Sequence, residues 1–93
     1  MNKTEQRNGA RIRELGCCVC RRLKIELHPD VDLHHVREGR LGKRGGAMIG
    51  LCAEHHRLGA DALHNLGSRA FEAKYGFTEN DLLADVRKLL GEE

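Results

Sequence analysis

The stretch LCAEHHRLG, from Leu51 to Gly59, places one cysteine and two adjacent histidines within five positions. A second adjacent pair, His34 and His35, lies about twenty residues earlier in DLHHVREGR. Successive residues of a helix differ in direction by about 100°, and neighbouring residues of a strand point to opposite faces. Each pair is therefore predicted to serve two tasks, which indicates two sites that share the same short elements.

The 93-residue chain has few residues for a core: no Trp, one Tyr, two Phe, and 40% hydrophobic against 32% charged residues. Chains of this size bury only about 60–65% of their unfolded surface and often need a metal or disulfide. The polar N-terminal segment lacks the apolar core of a signal peptide, and no stretch resembles a membrane span. We expect one domain over residues 1–93, located in the cytoplasm without membrane contact, where reduced thiols favour metal binding.

Charge is distributed unevenly along the chain. Residues 1–50 carry 11 Lys and Arg against 6 Asp and Glu, a net charge of +5, whereas residues 51–93 carry 5 against 8. The basic half contains the first histidine pair, which favours an anionic partner such as nucleic acid. By itself, a basic segment is more often only a solvated surface.

Helix signals mark both halves of the chain. Residues 4–15 are predicted as a helix with Thr4 as N-cap and Gly16 in a left-handed conformation at its end. A later helix is predicted to begin with Ser68 as its cap and to close at Gly76.

The stretch TENDLLADVRKLLG has the strongest helical pattern. Thr78 is its predicted cap, acidic residues occupy its first turn, and Gly91 ends it. We expect this C-terminal helix, about residues 79–90, to supply core packing rather than chemistry. Its predicted apolar stripe consists of Leu82, Leu83, Val86, Leu89 and Leu90.

The middle of the chain is predicted as a hairpin followed by a short helix. Residues 31–36 and 47–52 alternate in polarity as two strands, and the glycine- and arginine-rich residues 37–46 are predicted as the loop between them. The CCVC stretch, residues 17–20, is predicted as a tight turn, and residues 52–58 as the short helix.

Cysteine and histidine spacing predicts a structural zinc site. Cys17 and Cys20 form a C-x-x-C pair, and Cys52 and His55 form a C-x-x-H pair 32 residues later. Two such pairs supply the soft thiolate and imidazole ligands of a closed tetrahedral zinc site. Cys18 with Cys20 is a tighter and less usual alternative, which we rank below the pair with Cys17.

If His55 binds that zinc, His56 faces away from it and is available to a second site. His64, eight residues after His56, can share that site only if the chain reverses, which Gly59 permits. Taken alone, a histidine such as His64 is more often a surface or core residue. His28 belongs to no pair and is predicted to be a solvated loop residue.

These motifs resemble those of the HNH, or ββα-metal, endonucleases. DLHHV resembles the end of the first strand, and AMIGLCAEHHRLG the second strand with the metal-binding helix. GCCVC, LHHVREGRLGKR, LCAEHHRLG and ALHNLGSRAFEAKYG are similar to the small phage recombination-enhancement nucleases, over roughly residues 15–77. The resemblance implies an α+β fold, in which a zinc-stapled ββα-metal core combines a β-hairpin and a metal-binding helix with flanking N- and C-terminal helices.

Carried over to this chain, the family pattern implies that His35 is the general base. It also implies that His34, His56 and His64 bind a catalytic ion. One departure is that the middle asparagine of the family is missing before the second strand, where this chain has RGGAM. Asn65 is a candidate to replace it.

The resemblance implies metal-dependent hydrolysis of phosphodiester bonds in DNA, by histidine-activated water and one divalent ion, which could be Mg, Mn, Ni or Zn. DNA is the expected partner, with a recombinase or phage DNA-processing protein as a further one. The alternative is a catalytically silent, zinc-stabilised nucleic-acid-binding or adaptor module. The predicted phosphate-binding residues are Arg37, Arg40, Lys43, Arg44 and Arg57.

Overall fold

The computed structural model describes residues 3–28, 30–38 and 43–91, in which helices surround one two-stranded antiparallel sheet. The fold class is α+β, as predicted. In chain order the elements are α1 (Lys3–Leu15), α2 (Cys18–Leu23), β1 (Val31–Glu38), β2 (Lys43–Cys52), a π-helical turn (Glu54–Leu58), α3 (Leu63–Leu66), α4 (Ser68–Tyr75) and α5 (Glu79–Leu89).

The hairpin is longer than predicted. Strand pairing continues to Glu38 opposite Lys43, so the prediction of a loop over residues 37–46 is wrong for most of its length. A stretch rich in glycine and charged residues is typical of a loop. The hydrogen bonds of an antiparallel pair of strands, however, join backbone groups and do not depend on side-chain type. The register shifts between His35 and Arg37, directly after the histidine pair.

Helix α1 covers the predicted residues 4–15 and ends where predicted. It begins at Lys3, so Thr4 lies inside the first turn and the prediction of Thr4 as N-cap is wrong. Gly16 ends the helix with a φ of 78°, as predicted. A side chain there would also crowd the His28 carbonyl oxygen, 3.1 Å from an added Cβ.

The CCVC stretch is helical, which corrects the prediction of a tight turn. Cys18 is the first residue of α2, and Cys17 is its N-cap in extended conformation. The Cys17 sulfur accepts a hydrogen bond from the Cys20 backbone N–H at 3.5 Å. A thiol thus takes the capping place that Ser, Thr, Asp or Asn usually occupies, and this is why residue preferences miss the helix.

The core lies between the sheet and the helices. Ile49 and Leu51 of β2 are fully buried, and Phe71 of α4 packs with Tyr75 and Phe77. The other large, fully buried apolar side chains are Val19, Val36, Met48 and Leu82.

Helix α5 packs on this core as predicted, although its apolar stripe is shorter. Leu82, Leu83 and Val86 are buried, and Leu90 packs partly against the core. Leu89 is 48% exposed, so its predicted place in the stripe is wrong. At about 100° per residue, Leu89 falls at the edge of the stripe rather than at its centre, although Leu90 beyond it still contacts the core.

Of the two helix N-caps predicted in the second half of the chain, Thr78 is confirmed and Ser68 is wrong. Thr78 caps α5, since its hydroxyl accepts from the Asp81 N–H at 3.1 Å while Asp81 accepts from the Thr78 N–H at 2.8 Å. Ser68 does not cap α4, because Gly67 precedes that helix and Ser68 is its first residue. The Ser68 hydroxyl binds Glu79 instead. Helix α4 ends at Gly76, as predicted.

Across the described ranges, no helix combines the length and apolar character needed to cross a bilayer.

Replacement of Thr78 by Ala is expected to lower the free energy of unfolding by about 1 kcal/mol, the usual cost of losing a helix N-cap. Urea denaturation followed by circular dichroism measures this change. Thr78→Ser keeps the hydroxyl and should unfold close to the wild-type denaturant concentration. Equal destabilisation by both substitutions would contradict a capping role.

Candidate metal centre and active-site cleft

The first cluster joins α2 to the end of β2 and the π-helical turn. Its members are Cys17, Cys20, Cys52 and His55, the four residues predicted as zinc ligands, and one donor atom from each lies within 4.8 Å of the others. The Cys20 and Cys52 sulfurs are 3.9 Å apart, and His55 Nδ1 lies 3.2 Å from the Cys52 sulfur. Zn–S bonds of about 2.3 Å in a tetrahedron place two sulfurs about 3.8 Å apart, so the spacing fits zinc.

The chemistry of these donors also fits a soft cation. All three cysteines are buried. Burial and the neighbouring Cys17 thiol raise the pKa of Cys20 to about 12, and burial raises the pKa of Cys52. These thiols keep their protons unless a positive ion lies beside them. The cluster could therefore hold a metal ion such as zinc, which stabilises the thiolate form.

Cys18 lies outside this group, although it is buried in the adjoining core. Burial, followed by the neighbouring Cys17, raises its pKa strongly. The arrangement therefore favours Cys17 over the alternative with Cys18. His28 is exposed, as predicted for a loop residue, but it is not merely solvated: its Nδ1 lies 3.4 Å from the Cys20 sulfur.

The second cluster consists of three imidazoles from three elements. His34 of β1, His56 of the π-helical turn and His64 of α3 each place one ring nitrogen within 4.8 Å of the others. The ring centroids are 5.3 Å apart for His34 and His56, 4.5 Å for His56 and His64, and 5.9 Å for His34 and His64. The structure thus brings together the three histidines that the sequence proposed for a catalytic ion.

The chain reversal that carries His64 to this cluster depends on a widened helical turn. The Gly59 N–H donates to the Glu54 carbonyl at 3.0 Å, a bond between residues five apart. Only glycine fits there, since an added Cβ would lie 2.6 Å from the Glu54 carbonyl oxygen. The Asn65 amide donates to the carbonyls of Arg57 and Gly59 at 2.8 and 2.7 Å. These bonds tie Asn65 to the reversal, and neither reaches His35.

Two carboxylates that the sequence patterns do not predict contact the cluster. The Asp32 carboxylate lies 2.9 Å from His56 Nδ1, and the Glu79 carboxylate lies 2.6 Å from His34 Nε2. The hydrogen bond with His56 lowers the pKa of Asp32, and the one with His34 lowers the pKa of Glu79. Metal-binding histidines characteristically donate their second N–H to a carboxylate. Alternation along β1 could have indicated Asp32, two residues before His34, but no local signal indicates Glu79.

The free nitrogen of His56 provides the test of fit for an ion at this cluster. Among the described residues, His56 Nε2 is buried without a hydrogen-bond partner. A buried polar atom of this kind is costly unless a ligand satisfies it. Desolvation lowers the pKa of His64, and the rings of His56 and His34 lower it further. The neutral imidazole favoured by this shift is the form that binds metals, so the donor set fits a divalent ion.

A cleft of about 500 Å³ adjoins the second cluster. Both histidines of the first pair line this cleft, and one of them is His35, the predicted general base. Arg57 lies near the same cluster, with its Nε 4.0 Å from Asp32 and its side chain 67% exposed. The cleft is lined by His34, His35, Ser68, Arg69, Glu72, Thr78, Glu79 and Asn80.

The structure gives little of the remaining predicted phosphate-binding residues. Arg40 lies outside the described residues. Arg37, Lys43 and Arg44 have described backbone positions in the strands, but their side chains lie outside the described part of the structure.

Over residues 2–91 the chain matches the family described as recombination enhancement, RecA-dependent nuclease. The match covers nearly the whole chain, and the chain belongs to this family. The resemblance to recombination-enhancement nucleases is thereby confirmed, as is the predicted class of enzyme at the level of a nuclease. No curated protein matches the chain.

Replacement of Cys52 by Ala is expected to abolish zinc retention and to lower the melting temperature, because a metal held by this cluster would link three elements around a small core. Elemental analysis after dialysis and thermal unfolding measure the two effects. Cys18→Ala is the matched control, since it removes a buried thiol outside the cluster and should keep one zinc per chain. Equal zinc content in the two variants would contradict the assignment.

Proposed function

We propose that the protein is a metal-dependent DNA endonuclease of the HNH type, which hydrolyses phosphodiester bonds. The observation that carries this proposal is the convergence of three imidazoles beside a cleft that also contains His35. In this proposal β1, β2 and the π-helical turn form the ββα-metal core, and the thiol cluster acts as its zinc staple.

His35 is the proposed general base. It neighbours His34 on β1 and lines the cleft, so a water bound there can reach its ring. An imidazole has a pKa near neutrality and is suited to take a proton from water at physiological pH. His35 would remove that proton as the water oxygen attacks phosphorus, and the 3′ oxygen of the cut strand would leave.

His34, His56 and His64 are the proposed ligands of one divalent ion. Such an ion would supply stabilisation of the negative charge on the phosphoryl group and on the departing oxygen. Three protein ligands with positions left open are typical of catalytic rather than structural metals. Imidazole donors favour Zn or Ni over Mg on grounds of ligand softness. Mg and Mn remain candidate ions, and the nicking assay described below tests all four.

Arg57 is the proposed phosphate contact nearest the chemistry. Its side chain is largely exposed and lies beside Asp32, the partner of His56. The sequence of residues 37–44 carries further positive charge, and we propose that these basic side chains contact the DNA backbone. Arg69, which lines the cleft, is a further proposed phosphate contact.

The family description, which names recombination enhancement, supports a role for the proposed chemistry in recombination. From it we infer that DNA is the substrate and that a RecA-type recombinase is a partner. The motif resemblance to small phage nucleases is the basis on which we propose phage DNA processing in the host cytoplasm. The four free cysteines fit a reducing compartment.

Replacement of His35 by Ala is expected to reduce plasmid nicking by roughly 10²- to 10⁴-fold, the contribution typical of a general base. The assay compares supercoiled DNA cut by wild type and variant across Mg, Mn, Ni and Zn, with and without an active RecA filament. Lys88→Ala, at the far end of α5, should nick as wild type does.

Equal cutting by wild type and His35→Ala would show that the nicking comes from a contaminant or that the base is misassigned. Salt-sensitive DNA binding without cleavage under any metal would instead support the catalytically silent binding module.

Replacement of Arg57 by Ala is expected to weaken DNA binding and to reduce the salt dependence of the affinity by about one unit of slope, as for one lost phosphate contact. Fluorescence anisotropy with a labelled duplex measures this in a His35→Ala background, which prevents cutting. Lys88→Ala also removes one positive charge and should keep the wild-type slope. Lys88 lies about 14 Å along α5 from Glu79, the residue of that helix that contacts the imidazole cluster. An unchanged slope for Arg57→Ala would remove that residue from the interface.

A further inference from the structure

Helix α5, predicted to serve only packing, also reaches the three-imidazole cluster. Glu79 is the first residue of α5 and accepts hydrogen bonds on both carboxylate oxygens. His34 Nε2 lies 2.6 Å from Oε1, and the Ser68 hydroxyl donates to Oε2 at 2.8 Å. The side chains of His34 and Glu79 are only 18% and 19% exposed, so solvent screens this pair less than an ordinary surface ion pair.

We propose that Ser68 and Glu79 form a positioning relay, which selects the tautomer of His34 and thereby prepares it to bind a divalent ion. A nitrogen that donates its proton to Glu79 has no lone pair for a metal. His34 would therefore bind through Nδ1. Asp32 selects the other tautomer at His56, because its carboxylate pairs with Nδ1. The nitrogen left to bind a metal is then Nε2, which is buried without a hydrogen-bond partner.

The position of Glu79 depends on how α5 is docked. The Thr78–Asp81 capping box fixes the first turn, and an ion pair of 2.9 Å between Arg22 and Asp85 joins α5 to α2. Ser68 comes from a different helix, α4, so the carboxylate is held from two sides. Since α2 and its N-cap Cys17 also supply two residues of the thiol cluster, the scaffold that holds the first cluster sets the orientation of a ligand in the second.

This inference rests on the proposed function only in treating the three imidazoles as a metal site. Glu79 is a positioning residue rather than a ligand, because it does not belong to the group of converging donor atoms. Loss of an outer carboxylate of this kind typically costs about 10- to 100-fold in metal affinity.

The first measurement is the tautomer of His34 in protein that carries the structural zinc but no second ion. Long-range proton–nitrogen NMR of histidine-labelled protein at pH 8 distinguishes the two neutral tautomers. We expect wild type to hold the Nε2–H form and Glu79→Ala to show a mixture of forms. An Nδ1–H tautomer in the wild type, or an unchanged Nε2–H form in Glu79→Ala, would overturn the relay.

The second measurement is calorimetric titration with Ni²⁺. We expect affinity for a second ion to fall by about 10- to 100-fold in Glu79→Ala, by less in Ser68→Ala, and to be partly restored in Glu79→Gln, which keeps an acceptor oxygen. Glu14→Ala is the matched control, since it removes an exposed carboxylate from α1 by the same substitution, and should bind Ni²⁺ as wild type does. Equal affinity in Glu79→Ala and Glu14→Ala would overturn the relay.

The two proposals can fail separately. If wild type takes up no second Ni²⁺, the imidazoles are not a metal site and the proposed function fails, while the tautomer still decides the relay. If Glu79→Ala does not fold, as judged by thermal unfolding, Ser68→Ala and Glu79→Gln give the same comparison with the carboxylate or its shape retained.

Discussion

Two adjacent histidines, His55 and His56, belong to different clusters, and this adjacency constrains the rest of the structure. Their Cα atoms are separated by one peptide unit, about 3.8 Å, so the two clusters cannot move independently. The thiol cluster fixes the π-helical turn to α2 and to the end of β2. The same turn then presents the buried ring of His56 to the second cluster. A metal in the first cluster would thus stabilise the geometry of both.

The second cluster collects side chains from elements far apart in sequence. Its imidazoles come from β1, the π-helical turn and α3, and the two carboxylates that contact them come from β1 and α5. In a chain with so little apolar core, these polar contacts help to dock the C-terminal helix as well as orient the rings. Packing and proposed chemistry therefore depend on the same residues, notably Glu79. A small nuclease can in this way use one set of contacts for two purposes.

Short-range patterns predicted much of the candidate site. The four converging residues of the thiol cluster follow from i, i+3 spacing, since residues three apart share one side of a turn. The division of His55 and His56 between two sites follows from the direction of successive side chains. The position of His64 is less predictable from sequence, because its approach to His34 and His56 requires a chain reversal. That reversal depends on the close contact of Gly59 with Glu54 and on the Asn65 amide, which local propensity does not describe.

Three errors in the predicted fold arise from specific contacts that residue preferences do not describe. CCVC is helical because the Cys17 sulfur caps α2, and the glycine-rich hairpin arms are strands because each pairs with the other. Ser68 follows the N-cap Gly67, and its hydroxyl binds Glu79 of α5. A local contact in the first case, and contacts between separate elements in the other two, outweigh weak residue preferences.

By itself, the sequence determined the family and, through the motif resemblance, the α+β class. It also predicted the helix termini at Gly16, Thr78 and Gly76 and the residues that converge in the two clusters, because spacing and residue chemistry act locally. Only the tertiary structure decided which nitrogen of each imidazole has a carboxylate partner, and that Glu79 reaches His34 from 45 residues away. Such pairings depend on how helices dock onto a sheet. That docking is set by the summed packing of many side chains, which no local spacing encodes.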